Sequence, residues 1–404
     1  MPSSSTPSRI KSGYKVRRLR VKPTPQLNEL ARAAGELYTR TVVSFWRTVR
    51  KKNVWLTPAA MMRWHTSMHL HAHSADAVVK GFSAALKVWR QRRKTDPRAK
   101  PPHRLRRYHR VQWKSSAIRV RDEQLIRSNG RGNQPLVVPW PWGTPVLVEL
   151  GWTGSAYKLR CVYHEAAPVS KPSGDETAGV DLGEAHLAVV HDGQHTTIVN
   201  GRTLRAKRQY QNKIKAALAA TQARLKKGSR HWRKLQRSKR KQLRKLNNQI
   251  RDILHKQTTA LVSTLHASGV QTVVMGDVRN LRQRVDYGPA ANQHIHQMVT
   301  GYVRWMITYK AERLGMRVAL QDEAYTSQEC PCCGHRRKPH GRMYACSACG
   351  FRFHRDGVGA MNIRRKYLGV SPVVGVMASP TGVRWQPHRR VRVARDERER
   401  IPAL

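Results

Sequence analysis

Two Cys-x-x-Cys pairs, Cys330/Cys333 and Cys346/Cys349, close a short Pro/Gly/basic loop near the C-terminal end of the chain. Four thiolates at that spacing make a tetrahedral zinc site with no open position, so the ion is expected to be structural. Such a knuckle fixes whatever it joins. Glu323 stands before it, just past an apolar strand (Met316–Gln321), and Asp356 stands after it, at the start of a helix. A third carboxylate, Asp181, lies far upstream on the strand Gly179-Val180-Asp181-Leu182-Gly183. Three acids and a zinc knuckle on a very basic chain point to a metal-dependent nuclease.

The chain has 404 residues, enough for two or three domains with cores of their own. It carries 77 Lys+Arg against 24 Asp+Glu, a formal net charge of +53. A chain so charged repels itself without a polyanion, so its partner is read as nucleic acid. Histones and ribosomal proteins are equally basic, so charge by itself does not make an enzyme. Cys332 and Cys161, outside the pairs, are read as a bystander and a core thiol, and none of the 19 histidines is assigned as a ligand. Met1 to Ser5 carry no apolar run and no stretch of about 18 apolar residues occurs, so a cytoplasmic protein, of the bacterial cytoplasm or nucleoid, is expected.

Along the chain, Tyr14 to Val21 alternates as a basic strand. Residues 26–89 are largely helical, with Thr57-Pro58 starting one helix. A basic loop follows to 110, then short strands at 111–113, 117–121, 135–138, 146–150 and 157–163. A strand, a helical insertion and a return to strands suggest a small barrel. In the basic stretches, Arg106-Arg107-Tyr108 and Lys114 are candidates for stacking on bases or backbone, while Trp113 fits stacking and a core position equally. The Pro/Ser/Gly-rich run at 166–177 reads as a linker. Strands at 179–182, 187–190 and 196–199 come next, then a helical hairpin turning at Gly228-Ser229. Ile214, Leu218 and Leu225 of its first arm and Trp232, Leu235, Leu243, Leu246, Ile250 and Ile253 of its second should face inward. No acid occurs from Arg202 to Arg251, and Arg205, Lys207, Arg208, Lys226, Lys227 and Arg230 are expected to meet phosphates. A buried strand (Thr272–Met275), a helix (Gln293–Leu314), the Met316–Gln321 strand and the Asp356 helix complete the series. This is the element order of a ribonuclease H-like fold, with Asp181 on its central strand. Phosphodiester hydrolysis in such a fold uses two Mg²⁺ ions held by carboxylates on separate elements.

From Tyr14 to about Gly369 the chain resembles the TnpB family of transposon-encoded RNA-guided nucleases, and the compact CRISPR type V effectors and Fanzors related to it. The resemblance rests on Gly179-Val180-Asp181-Leu182-Gly183, Gly228-Ser229, His255-Lys256, Tyr309-Lys310-Ala311, Thr326-Ser327-x-x-Cys330-Pro331-x-Cys333-Gly334, Cys346-x-x-Cys349-Gly350 and Arg355-Asp356-x-x-x-Ala360-x-Asn362-Ile363. The N-terminal half matches in pattern only. The resemblance implies a RuvC-like α/β nuclease domain (178–327 and 353–369, with the basic hairpin at 202–256) bearing a zinc knuckle (328–352). Before it come a wedge-like β-barrel (14–25 and 111–165) and a helical recognition insertion (26–110). Residues 1–13 and 370–404 are read as a flexible N-terminus and a disordered basic tail. The implied partners are a guide RNA encoded at the transposon end and a double-stranded DNA target cut beside a short flanking motif, with the protein a monomer on one guide RNA.

Two departures stand out. The strand at Thr272–Met275 ends in Gly276-Asp277, where most of the family has Glu-Asp with the glutamate catalytic. Either Glu323 takes over from the neighbouring strand, with glycine at 276 leaving room for it, or Asp277 substitutes, or the nuclease is dead. A dead nuclease would be a guide-dependent DNA-binding protein of repressor type. A DNA-joining transposase of the same fold, which needs no guide, is a third class. The second departure is Val358, where many members have Asn. The expected set is Asp181, Glu323 and Asp356 on two Mg²⁺ ions and Cys330, Cys333, Cys346 and Cys349 on one Zn²⁺.

Overall fold

The computed structural model describes residues 13–103, 105–165, 172–277, 288, 292–293 and 299–371, and the backbone of 383–386. The chain divides into two compact units at Ala167/Pro168. Among the described residues, no helix is long and apolar enough to cross a membrane.

In the first unit, β1 (Tyr14–Val21) leads into α1 (Pro25–Lys52), α2 (Pro58–Trp64) and α3 (Ala72–Arg93). Thr24 and Thr57 cap α1 and α2: their hydroxyls accept from the N–H groups of Leu27 (3.3 Å) and Ala60 (3.2 Å), with proline in the first turn. Strands β2 (Val111–Lys114), β3 (Ile118–Arg121), β4 (Gln124–Arg127), β5 (Leu136–Pro139), β6 (Leu147–Trp152) and β7 (Tyr157–His164) follow. They make two antiparallel sheets, β1-β7-β6-β2 and β3-β4-β5. One core, including Leu37, Phe45, Phe82, Trp113 and Trp140, joins helices and sheets. Trp113 is fully buried and its indole N–H donates to Asn129 Oδ1 (3.3 Å), so of its two readings the core position holds. Strand β4 is additional to the expected strands. Its hairpin turns at Asp122-Glu123, both with positive φ (49° and 54°), a primed turn without the Asn-Gly that usually marks one. Its inner face ends in Arg127, a buried cation whose Nε donates to the Leu136 carbonyl (3.2 Å).

The second unit is built on a six-stranded sheet in the order β12-β11-β8-β9-β10-β15. Its strands are β8 (Glu176–Asp181), β9 (His186–His191), β10 (Thr196–Asn200), β11 (Val270–Gly276), β12 (Arg317–Gln321) and β15 (Val383–Gln386). β8 pairs antiparallel with β9 and parallel with β11, and β11 pairs parallel with β12. This is the expected ribonuclease H-like order. The helices are α4 (Arg202–Ala223), α5 (Arg230–Ala267), α6 (Thr300–Arg313) and α7 (Arg355–Leu368), and the small hairpin of β13 (Met343–Ala345) and β14 (Arg352–His354) belongs to the knuckle. Residues 383–386, expected in a disordered tail, instead run parallel to β10 and cover the edge it would otherwise expose. The rest of that tail beyond 371, residues 1–12, and residues 166–171 of the linker lie outside the described residues. α6 is described from Thr300; residues 294–298 of the helix expected there also lie outside. In the α4–α5 hairpin, Leu246, Ile250 and Leu254 are buried, Leu254 replacing Ile253, while the other expected inward residues are half-buried. Amide pairs take over between the arms: Gln211 donates to Asn247 (2.7 Å) and Gln222 to Gln236 (2.8 Å).

Helix α7 crosses β8 at backbone contact. A Cβ at Gly179 would overlap the Ala360 carbonyl and come within 2.7 Å of the Arg364 nitrogen. Gly179→Ala should therefore destabilise the second unit by about 3 kcal/mol or more, the upper end of overpacking costs. Thermal denaturation should show a midpoint lower by roughly 6–12 °C.

Candidate active site

Asp181 is the last residue of β8 and faces α7: a Cβ at Gly359 would lie 2.7 Å from its Oδ2. Asp356 sits in the first turn of α7, where the helix N-terminus favours an anion. Glu323 follows β12 by two residues. Because β11 and β12 run in register, Gly276 lies opposite Gln321, and a Cβ at 276 would stand 2.5 Å from Glu323 Oε2 and 3.1 Å from Ile363 Cδ1. A side chain at 276 and the Glu323 carboxylate thus compete for one space, and glycine yields it to Glu323.

Helix α7 also holds the loop carrying Glu323. The Glu323 carbonyl accepts from the Thr326 N–H (3.1 Å) and hydroxyl (2.8 Å). The buried Asn362 amide donates to the Thr326 (2.8 Å) and Glu329 (2.7 Å) carbonyls, and Lys366 Nζ to that of Ala324 (2.5 Å). Tyr325 between them is in the left-handed region (φ 60°). That conformation costs a residue with a Cβ about 1–2 kcal/mol, which these bonds offset.

The electrostatics divide the acids. Burial pushes Asp181 up, and the charges of Glu323 and Asp356 push it further, to about 7, against a smaller opposing effect of Arg355. Glu323 is also raised, by burial and then by Asp277 and Asp322. Burial would raise Asp356 too, but the His186 hydrogen bond and the charges of His354 and Arg355 hold it below the usual range. His186 Nδ1–H donates to Asp356 Oδ2 at 2.8 Å, and Arg342 and Arg355 lie 3.4 and 3.5 Å from the same carboxylate. Asp277 pairs with Arg304 at 3.4 Å.

Among the described residues, two groups bring three or more ligating atoms within 4.8 Å of one another: the four cysteines, and His186, His354 and Asp356. The cysteine Sγ atoms stand 3.6 Å (Cys330–Cys349) and 3.5 Å (Cys333–Cys346) apart. Tetrahedral Zn–S bonds of 2.3 Å imply about 3.8 Å, so the thiols fit zinc. Tyr344, Phe353, Val358 and Met361 pack around Cys330 and Cys346, so Val358 is a knuckle core residue, and Cys332 lies against the same cluster. Cys161 is buried in the first unit's core, its thiol pushed up to about 12 by burial. The carboxylates Asp181, Glu323 and Asp356 are spread more widely than either ligand group. They offer only hard oxygen donors around space kept free of Cβ atoms at 276 and 359, which fits a divalent cation of the magnesium type.

In the first unit, Arg106 and Arg107 are exposed, with Arg106 over the Tyr38 ring (5.5 Å) and Arg107 over the half-buried Tyr108 (5.6 Å); Lys114 is exposed at the end of β2. In the second, Arg205, Lys226, Lys227 and Arg230 are exposed on the hairpin, Lys207 and Arg208 half-buried, and Arg205 reaches Glu184 at 3.5 Å. Sequence reasoning passed over His186, Gly359 and Tyr325. The available signal for His186 was its place five residues after Asp181, where the β8–β9 hairpin returns it to the same end of the sheet.

A family model described as Cas12f1-like, TNB domain, matches residues 301–363, and one described as a probable transposase matches 160–282. The TnpB-like protein ORF457 of Acidianus two-tailed virus is 25% identical over 235 residues, covering 57% of this chain and 50% of its own. InsQ of Escherichia coli (strain K12), provisionally named an RNA-guided DNA endonuclease, is 30% identical over 202 residues, covering 46% and 47%. The chain belongs to the TnpB family. It spans about half the length of the curated relatives it matches. The fold is that of the Cas12f1 chain in a cryo-EM complex with sgRNA and target DNA, with a TM-score of 0.54 at 12% identity over 83% of this chain and 81% of that one.

For a TnpB-family protein with glycine at 276, the state of Asp181 is the measurable signature of an acid that is buried and faces two others. Its folded value lies above its unfolded one. The neutral form's contribution to stability is therefore complete below the ordinary carboxylate range and lost as pH rises through about 7. In magnesium-free buffer, Asp181→Asn should melt with wild type at about pH 4 and above it at about pH 8. A constant difference across that range would show that Asp181 is not raised in the folded protein.

Proposed function

We propose that this chain is an RNA-guided DNA endonuclease that cuts double-stranded DNA next to a short flanking motif, with Asp181, Glu323 and Asp356 as its catalytic acids. The observation that carries the reading is the vacant Cβ position at Gly276, filled by the Glu323 carboxylate from the loop after the neighbouring strand. An acid missing from β11 is matched by one arriving at the same place from just past β12. Asp277 is the weaker substitute because Arg304 already engages it. The names of the relatives support guide RNA and DNA as partners, and the acid-free run Arg202 to Arg251 supplies charge for their phosphates.

In this reading the acids hold two Mg²⁺ ions, which would stabilise charge on the attacking and leaving oxygens. Asp181 and Asp356 are fixed by β8 and α7, Glu323 by the loop that α7 binds. His186 keeps the Asp356 carboxylate oriented and ionised. The cysteines hold one Zn²⁺ and keep the segment between Glu323 and Asp356 in shape. The first unit serves as wedge and recognition element, and the protein works as a monomer on one guide RNA from a transposon end, in the bacterial cytoplasm.

The test is cleavage of a plasmid library with randomised flanking bases by protein purified with its RNA, in Mg²⁺. Asp181→Ala and Glu323→Ala should each lose at least about 10³-fold in rate, while Asp277→Ala stays within about tenfold of wild type. Returning the acid to its strand, Gly276→Glu with Glu323→Ala, should recover part of the activity because the emptied space accepts the new side chain. Guide-dependent binding with no cleavage by wild type would establish the repressor reading instead.

A further inference from the structure

Tyr325 stands two residues beyond Glu323, a reach of at most about 7 Å along the chain. The residue is 55% exposed although its backbone is left-handed, a conformation glycine would adopt without strain. The peptide is fixed there: the Tyr325 carbonyl accepts from the N–H groups of Gln328 (2.9 Å) and Glu329 (3.1 Å). The Arg336 guanidinium lies over the ring, 4.9 Å from its centroid. Arg336 is itself anchored by two bonds to Glu329 Oε2 (3.3 Å each), and Glu329 by Arg365. A locked backbone therefore presents an aromatic ring and an attached cation to solvent two residues along the chain from Glu323.

We propose that Tyr325 and Arg336 form a stacking seat for a nucleobase of the DNA strand next to the bond being cut. An aromatic face beside a guanidinium suits any base, since every base offers a π-face, and the cation adds attraction for the strand's phosphates. The seat is therefore sequence-tolerant, and its task is to hold the strand in line with the carboxylates. The identity of the strand rests on the nuclease reading above; the existence of a base-stacking site does not. A ring retained only to staple the knuckle to the Glu323 loop would touch Arg336 and no ligand.

The experiment uses the full chain with its bound RNA and target DNA carrying 2-aminopurine at successive positions around the cut site, in Ca²⁺ so that the strand remains whole. Tyr325→Gly removes the ring at a backbone conformation glycine favours, so folding is retained, and Tyr325→Phe keeps the stack. Wild type and Tyr325→Phe should quench fluorescence at one position, and Tyr325→Gly should lose that quenching. In Mg²⁺, single-turnover cleavage should fall on the order of tenfold for Tyr325→Gly, matching the loss of one base–aromatic stack, and stay at the wild-type level for Tyr325→Phe. An abasic site at the quenched position should slow wild type and leave Tyr325→Gly unchanged. Quenching that is absent in wild type, or that persists in Tyr325→Gly, overturns the seat. Wild type that quenches but does not cleave would sink the nuclease reading and leave the seat standing.

Discussion

The contact of α7 with β8 is the constraint on which the second unit depends. Bringing three carboxylates to one end of a buried sheet is unfavourable without a cation: burial raises Asp181, and the charges of Glu323 and Asp356 add to it. Packing must therefore hold them there. Gly179 lets the helix backbone rest on the strand, and Gly359 leaves room for the Asp181 carboxylate. The same helix then supplies Asp356 at its first turn, Asn362 and Lys366 to the Glu323 loop, and Val358 and Met361 to the cysteine cluster. One helix thus fixes two acids and the metal knuckle, so their spacing is set by rigid packing more than by loop length.

Much of this was legible in sequence because the signals were local. Runs of apolar residues gave β8, β9 and β11, which are buried on both faces and read as continuous hydrophobic strands. Cysteine spacing gave the knuckle, and the order of elements gave the sheet. The space for Glu323 was legible through the family resemblance, which implies a glutamate where this chain has Gly276, together with a glutamate two residues past the neighbouring strand.

What was not legible depends on contacts between distant residues. The Asp122-Glu123 turn takes positive φ at two residues that do not advertise it, and a buried Arg127 disguises the strand that follows. The edge strand at 383–386 is four residues long in a basic stretch and takes its shape from the open side of β10. Leu254 displaced Ile253 because burial on α5 is decided by the sheet beneath its last turns, whereas the pattern along the basic hairpin gives no phase for that surface. His186 carries no motif of its own. Its role appears only when the hairpin sets its ring 2.8 Å from an acid 170 residues away.

In the proposed reading, placing the second acid on a loop instead of a strand changes what the site depends on. A glutamate on β11 would be held by the sheet's own ladder of hydrogen bonds. Glu323 is held instead through Thr326, Asn362 and Glu329, and Cys330 follows Glu329 directly. The order of the loop is therefore tied to the order of the knuckle, and the knuckle's order to its metal. In the proposed reading a structural zinc would have a share in catalysis that it would lack with the acid on the strand, because losing the metal would loosen the peptide from which Glu323 projects. Positive φ at Tyr325 belongs to the same logic: a strained residue persists where the surrounding bonds over-determine it, and here those bonds run to α7 and to the knuckle at once.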